Sequence, residues 1–405
     1  MSDRPAVADW ATDWDHLSDE YALRCPEILD DLRRRCPVAH TDRFNGAWLP
    51  TRYVDVAAVA HDTATFSSRA TVVNEQKTYG LVAPPITLDP PIHTALRRAL
   101  LPSFSPKATA QLEPSIRAVC HRLVDTILQR NDHNADAAID YAQHIPVEAI
   151  AKLLGLPTSD ADRFRRWIYE LIEVGPVDVE AARRANREVF DYFEAQLEDR
   201  RLHPGDDFTS WVLETEVTDG HEVRPLTHKE RLGTLFLMLV AGIDTTWSAI
   251  GSALWHLARN EDDRRRLVAE PTLIPTAVEE FLRAYSPVTM GRLITTDAEI
   301  GGCPVSAGER VLLSFPAANR DPAQFPDADH VVIDRADNRH VAFGLGIHRC
   351  LGSNLARLEM RVAIEVWLAR IPEFSLGDPE AVEWSHGQVR GPRTVPVHIQ
   401  RPKRG

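Results

Sequence analysis

The stretch Phe343-Gly344-Leu345-Gly346-Ile347-His348-Arg349-Cys350-Leu351-Gly352 sets one cysteine in a glycine-rich turn, directly before a long amphipathic run from residue 351 to about 371. Glycines let the chain turn sharply and approach a flat ligand with no Cβ in the way. A thiol at a helix N-terminus is biased toward thiolate, because orphan N–H groups and the positive end of the macrodipole stabilise the anion. Three plainer readings of Cys350 stand beside this one. A lone cysteine is often a small buried hydrophobe. A reactive thiol needs a base and an orienting group, which no local pattern supplies. Zinc needs partners at short spacing; only His348 is near, and the chain has no C-x-x-C.

Working back from the cysteine, residues 227 to about 259 read as the longest helix. Thr227 and Glu230 stand three apart as a capping box, and Asn260 offers a stop. At about 1.5 Å per residue, such a helix crosses a whole domain. Its middle is Ala241-Gly242-Ile243-Asp244-Thr245-Thr246. An acid and two hydroxyls at the centre of an apolar helix need a reason, since unpaired buried polar groups are costly. The small residues at 241 and 242 leave room for a ligand. A threonine can also bond back to a carbonyl one turn earlier and bend the helix, with Asp244 then serving only in a salt bridge.

The ten-residue cysteine segment resembles the haem-binding loop of the cytochromes P450 and matches that pattern at every fixed position. The segment 241–246 resembles the family's oxygen-activation motif, A-G-x-D/E-T-T, and lies about 105 residues before the cysteine, as in the family. The resemblance covers roughly residues 20 to 400. It implies that Cys350 is the axial ligand of a haem b (iron protoporphyrin IX) iron, with Phe343, Gly344 and Gly352 in the same loop. It implies that Thr245 orients dioxygen and that Asp244 relays protons.

Other segments fit the same resemblance. Glu280 and Arg283, at i,i+3 in one helical run, share a face. Alone they are an ordinary surface pair; by resemblance they form a structural triad with Arg335. Asp89-Pro90-Pro91-Ile92-His93-Thr94-Ala95-Leu96-Arg97-Arg98 resembles the segment whose His and Arg meet a haem propionate, here His93 and Arg97. Arg292 and His348 match two further propionate donors; each taken singly is also an ordinary surface cation. By resemblance, Val82, Ile86, Leu237, Val240, Ala241, Val288, Met290 and Val389 line the substrate pocket. Their apolar character suits a small apolar or aromatic molecule, though Val288 and Met290 equally suit a strand core.

Composition narrows the rest. The 405 residues carry 46 Lys and Arg against 59 Asp and Glu, a net charge of −13, which disfavours a nucleic-acid partner. Five cysteines, an odd number, do not make a disulfide framework. No linker or repeat divides the chain, so one domain over 1–405 is expected, with residues 1–18 as an N-terminal extension. The polar start carries neither signal peptide nor anchor, so a cytoplasmic protein away from membranes is expected; a monomer is expected as well. Periodicity predicts helices at 19–36 and 53–61, helical periodicity dominating 91–286, and a helix at 351–371. It predicts strands at 47–53, 291–300, 304–305, 310–315, 373–376 and 396–399, with loops over 68–90 and 320–347. The fold class is mainly α with a small β portion. This matches the P450 fold, a long central helix over haem with the cysteine loop beneath.

The resemblance implies a monooxygenase that inserts one atom of O2 into the substrate by hydroxylation or O-dealkylation. Electrons would come from NAD(P)H through a separate ferredoxin or flavodoxin and its reductase. Arg97, Arg98, Lys107, Arg349, Arg357 and Arg361 suggest a basic rim for an acidic carrier, or else ordinary solvated charge. The closing Gly391-Pro392-Arg393-Thr394-Val395-Pro396 is similar to haem domains joined to reductases, for which this chain has no room. Two rivals are an H2O2-driven peroxygenase of the same fold and a haem sensor or carrier without turnover.

Overall fold

The computed structural model describes residues 4–74, 83–130, 133–176, 178–220 and 222–400. The helices include α1 (Asp19–Arg35), α2 (Tyr53–His61), α3 (Ile92–Leu100), α4 (Glu113–Gln129), α5 (His144–Leu154), α6 (Ala161–Tyr169), α7 (Val179–Leu202), α8 (His228–Arg259), α9 (Ile274–Ala284) and α10 (Ser353–Arg370).

Helix α8 is built as its sequence dictates. Thr227 Oγ1 accepts from the Glu230 N–H while the Glu230 carboxylate accepts from the Thr227 N–H, and the Asn260 N–H closes the far end on the His256 carbonyl. It is the one helix among the described residues long and apolar enough to cross a membrane. Of its apolar window, 78% is buried inside the molecule, which accounts for that character. Two glycines show how closely its neighbours approach. A Cβ on Gly242 would lie 2.4 Å from Ile150 Cδ1, so the bare Gly242 admits α5, a packing role beyond the ligand space expected of it. A Cβ on Gly391 would lie 2.3 Å from Ser248 Cβ, so the C-terminal turn lies directly on α8.

The β portion is two small sheets and two hairpins. Strands β1 (Val38–Thr41), β2 (Ala47–Pro50), β3 (Phe66–Ser67), β5 (Thr289–Ile294) and β6 (Arg310–Ser314) form a sheet in the order β1-β2-β6-β5-β3. Within it β2 and β6 are parallel and the other pairs antiparallel, and Val311 stands opposite Arg292. Strands β4 (Asn134–Asp136), β7 (Phe374–Leu376) and β8 (Pro396–Ile399) form the second, in the order β7-β8-β4. The hairpins pair Glu216–Asp219 with Glu222–Pro225 and Ala298–Ile300 with Cys303–Val305.

The run 91–286 is therefore not purely helical. Strand β4 forms because Val397, far along the chain, pairs with Ala135, a partner that local periodicity cannot reveal. The expected strand at 291–300 is split into β5 and one arm of a hairpin. Strand β1, unforeseen, is the partner that makes β2 a strand. Trp14 and Leu17 are buried in a cluster with Leu29, Phe44 and Leu49, so this part of the N-terminal extension is folded onto the body.

Candidate active site

Cys350 sits in a turn, not in the helix: α10 begins at Ser353 with Gly352 as its N-cap. The Cys350 N–H donates to the Phe343 carbonyl at 2.7 Å, closing the loop on itself. Gly344 (φ +69°) and Gly346 (φ +65°) take left-handed conformations that side chains resist, and a Cβ on Gly346 would meet the Ala60 carbonyl at 2.6 Å. The thiol opens on a cavity beneath α8. Cys350 is exposed to that cavity, but the surrounding protein desolvates its thiol and raises it above its ordinary value, against the Gly352 N–H and the charges of Arg97, Arg349 and Arg357. The thiolate bias expected from the helix terminus is thus outweighed by desolvation. An anion here needs a cation placed directly against it.

Four cationic or basic side chains gather on one side of that cavity. The rings of His93 and His348 are 4.1 Å apart. His348 Nε2 meets Ser68 Oγ at 2.8 Å, Arg97 donates to the Arg349 carbonyl, and Arg292 Nη1 donates to the Gly291 carbonyl at 2.7 Å. Both ring nitrogens of His93 are buried without a hydrogen-bond partner. Burial, with repulsion from the neighbouring cations, holds His93 down at about 4 and His348 at about 2. Burial lowers Arg292 to about 10. Burial also lowers Arg97, with Arg349 adding to the effect and Cys350 opposing it. Such a group of donors calls for anionic acceptors.

Across the cavity, the middle of α8 is opened rather than buried. Leu237, Ala241 and Thr245, spaced four apart, line it, and Thr245 Oγ1 donates back to the Ala241 carbonyl at 2.8 Å. Asp244 is turned away from it. Its carboxylate lies 2.8 Å from Arg393 Nη2 and is 2% exposed. Burial raises its pKa while Arg393 lowers it, and burial wins.

The carboxylate–arginine group is assembled. Arg283 donates to both oxygens of Glu280, at 2.9 and 2.8 Å, and Arg335 Nε donates to Oε2 at 3.0 Å. The Val332 N–H and Asn338 complete the shell at 2.8 and 3.0 Å. Arg283 also donates to the carbonyls of Asn319, Ala328 and His330, gathering the irregular stretch that leads to the cysteine loop. The adjacent Glu279, unremarked in the sequence, accepts two bonds from Arg357 at 2.6 and 2.8 Å and one from His340 at 3.0 Å. Arg357 in turn lies 4.4 Å over the Phe343 ring at the start of the loop.

Of the expected pocket residues, Ile86, Leu237, Ala241, Val288 and Met290 line the cavity. Val240 and Val389 do not. Val240 packs into the main core on another face of α8, and Val389 is buried in a bridge to Val288. Val82 lies outside the described residues. Met238, Thr246 and Ala249 were missed although the same helical spacing identifies them. Pro85, Phe104, Ile150 and Phe315 come from elements whose approach no local pattern encodes. Glu359 was missed too: it lines the cavity, has no partner at Oε2, and is pushed well above its ordinary value by burial.

The basic rim is smaller than the arginine count suggests. Arg357 is neutralised by Glu279, and Arg361 by Glu113 and Glu365, which also bind Arg117. Arg97 is half-buried in the cavity wall. Among the described residues, Arg98, Lys107 and Arg349 make no ion pair.

A long helix laid over an apolar cavity, with a cysteine loop on that cavity and basic donors at its edge, is the architecture of haem-dependent monooxygenases. A family model described as Cytochrome P450 matches residues 178–376, and the chain belongs to the cytochrome P450 family. It is 37% identical over 395 residues to the mycinamicin IV hydroxylase/epoxidase of Micromonospora griseorubida, covering 94% of this chain and 97% of that protein. It is 37% identical to the vitamin D(3) 25-hydroxylase of Pseudonocardia autotrophica, covering 90% and 91%. The solved polyketide synthase cytochrome P450 PksS of Bacillus subtilis superposes with a TM-score of 0.87 at 31% identity, covering 96% of this chain and all of that one. The protein is a P450 monooxygenase that uses haem b and O2, with electrons from NAD(P)H delivered through redox partners.

The residues present fit that cofactor. The partnerless nitrogens of buried His93, beside Arg97, Arg292 and His348, suit the two propionates. The thiol of Cys350, exposed to the cavity, suits a metal cation. A Cβ added at Gly352, on the cavity wall, would meet nothing within 4 Å.

Proposed function

We propose that the protein hydroxylates an apolar organic molecule, with Cys350 as the thiolate that would hold the haem iron and His93, Arg97, Arg292 and His348 as the side chains that would hold its propionates. Phe343, Gly344 and Gly352 shape the loop around the thiolate. The observation that carries the substrate reading is the division of the cavity wall. Its charged and basic residues, Arg97, Arg292, His348 and Glu359, belong to the rim donors or to α10, while α8 and the 282–290 region contribute Leu237, Met238, Leu282, Val288 and Met290. An apolar molecule is desolvated there at no polar cost. Two relatives carry names that say they hydroxylate organic molecules, mycinamicin IV and vitamin D(3), which supports hydroxylation as the reaction. O-dealkylation follows from the same reaction when the hydroxylated carbon bears an ether oxygen.

Haem, when bound, supplies the activation and reduction of O2. The chain does the rest. Cys350 donates electron density as thiolate. Thr245 offers a hydroxyl on the cavity, and Asp244 on the adjoining face of α8 supplies protons toward it. The cavity wall keeps bulk water from competing. Glu280, Arg283 and Arg335 hold the chain that carries the loop. A ferredoxin or flavodoxin, reduced by its reductase, docks on the cysteine side through Arg98, Lys107 and Arg349. The protein works as a cytoplasmic monomer.

The test is substrate-stimulated NADH oxidation with a surrogate ferredoxin and reductase, together with spectral-shift screening of a compound panel. Hydroxylated product with apolar binders supports the reading. Fast turnover with H2O2 alone replaces it with the peroxygenase, and binding without turnover in either system leaves a sensor or carrier.

A further inference from the structure

Arg393 enters from the C-terminal turn and meets three groups. Nη1 donates to Ser248 Oγ at 3.0 Å, Nε lies 2.7 Å from Glu173 Oε1, and Nη2 lies 2.8 Å from Asp244 Oδ1. Its guanidinium also rests 4.4 Å over the Trp247 ring, which fixes its plane. Nε and Nη2 lie on one edge of the guanidinium, so the two carboxylates flank that edge as ion pairs, without hydrogen-bond geometry to it. Glu173 belongs to the wide turn Glu170–Val174 that extends α6, and Asp244 to the middle of α8.

One cation does not neutralise two neighbouring carboxylates withdrawn from water, so such a group retains a proton near neutral pH. Burial and the Asp244 charge push Glu173 up to about 7 in spite of Arg393, and burial raises Asp244 as well. The other ionisable groups nearby do not change this balance. Glu170, in the same turn, is drawn to Arg166 at 3.4 Å. His386, whose pKa Arg393 helps to lower, is held down chiefly by burial. Trp247 and Ser248 carry no charge. The two acids differ in their access to water: the Glu173 side chain is 18% exposed and that of Asp244 2%.

We infer that Glu173 is the solvent-side member of the proton supply, a positioning residue that shares one proton with Asp244 along the edge of Arg393 and refills Asp244 after each delivery. In the step, the O–H bond of Glu173 breaks and one forms on Asp244. Arg393 keeps its charge throughout. Once Asp244 has passed that proton on, hydronium from solvent returns one to Glu173, so the group again holds one proton, two carboxylates and one cation. The arrangement also makes proton supply depend on the turn 170–174 staying seated against Arg393. The inference rests on the role proposed for Asp244.

Infrared titration of the haem-loaded protein tests the pair without turnover. A carboxylic-acid C=O band should titrate near pH 7. It should be lost in Glu173→Gln and restored in Glu173→Asp. In Asp244→Asn its midpoint should fall, because Glu173 then has Arg393 to itself. A band unmoved by both substitutions overturns the sharing. In turnover, Glu173→Gln should lower product formed per NADH several-fold and alter its pH profile; unchanged coupling and profile overturn the supply role. If Glu173→Gln folds poorly, Arg393→Lys, which releases one carboxylate, must shift the band midpoint, and an unshifted midpoint overturns the inference. Should Asp244→Asn retain full coupling, the proposed relay fails instead, and the infrared arms still decide whether the proton is shared.

Discussion

Arg335 reaches back across 55 residues of chain to donate a 3.0 Å hydrogen bond to Glu280, whose carboxylate is fully buried. A helix face and an irregular segment are thereby joined at one point. Removing Glu280 leaves Arg283 buried and unpaired, the costly way to break such a group. Glu280→Ala should lose about 3–5 kcal/mol of stability and retain less haem. Denaturant unfolding and the haem-to-protein absorbance ratio measure both. Normal haem content at normal stability would remove the triad from its supporting role.

Cys350→Ser keeps the size of the side chain and removes the sulfur. The native protein, reduced and CO-bound, should show the red-shifted Soret band of thiolate ligation, and the variant should not. An imidazole-type band in the native protein rejects Cys350 as the ligand.

Thr245→Ala removes the hydroxyl that faces the cavity. It should leave substrate binding near native while NADH is spent on peroxide instead of product. Product and peroxide per NADH are the quantities to compare, and native coupling in the variant excludes Thr245 from the relay.

Glu279 gives a pH signature. Burial alone would raise it, but His340 and Arg357 outweigh burial and hold it at about 2, below its ordinary 4.5. A carboxylate lowered on folding adds stability above its unfolded value, and that stability is lost as pH falls through the folded one. Glu279→Gln should therefore cost about 1–2 kcal/mol at pH 7, allowing for solvent screening of its partly exposed side chain. The difference should shrink from about pH 4.5 toward pH 2. Urea unfolding across that range measures it; a pH-independent difference contradicts the ion-pair account.

Gly391→Ala tests the contact between the C-terminal turn and α8. The new Cβ would lie 2.3 Å from Ser248 Cβ and 2.6 Å from its Cα, which is backbone and yields little. The substitution should cost about 1–3 kcal/mol and displace Arg393 from Asp244. Coupling should fall with stability, and native behaviour in both would mean that the turn moves freely.

Much of this protein was legible in its residues. The cysteine loop is a run of ten fixed positions, the cap of α8 is a local exchange of hydrogen bonds, and Glu280 and Arg283 share a face at i,i+3 spacing. Each depends on backbone geometry over a few residues, which the order of side chains determines directly. Leu237, Ala241 and Thr245 were expected through the family resemblance, and they do line the cavity together, spaced four apart on α8.

What the sequence determined by itself is therefore the family, the loop, the helix above it and the types of side chain around them. Tertiary structure alone decided which charges meet. It neutralised Arg357 with Glu279, brought Glu113 to Arg361 beside its local i,i+4 partner Glu365, turned Asp244 from the cavity onto Arg393, and set Glu173 beside it. It also raised the Cys350 thiol that the helix terminus alone would have lowered. The reason is physical. A side chain's intrinsic chemistry is local, but desolvation and ion pairing depend on whatever packing brings alongside, and those partners here come from the far ends of the chain.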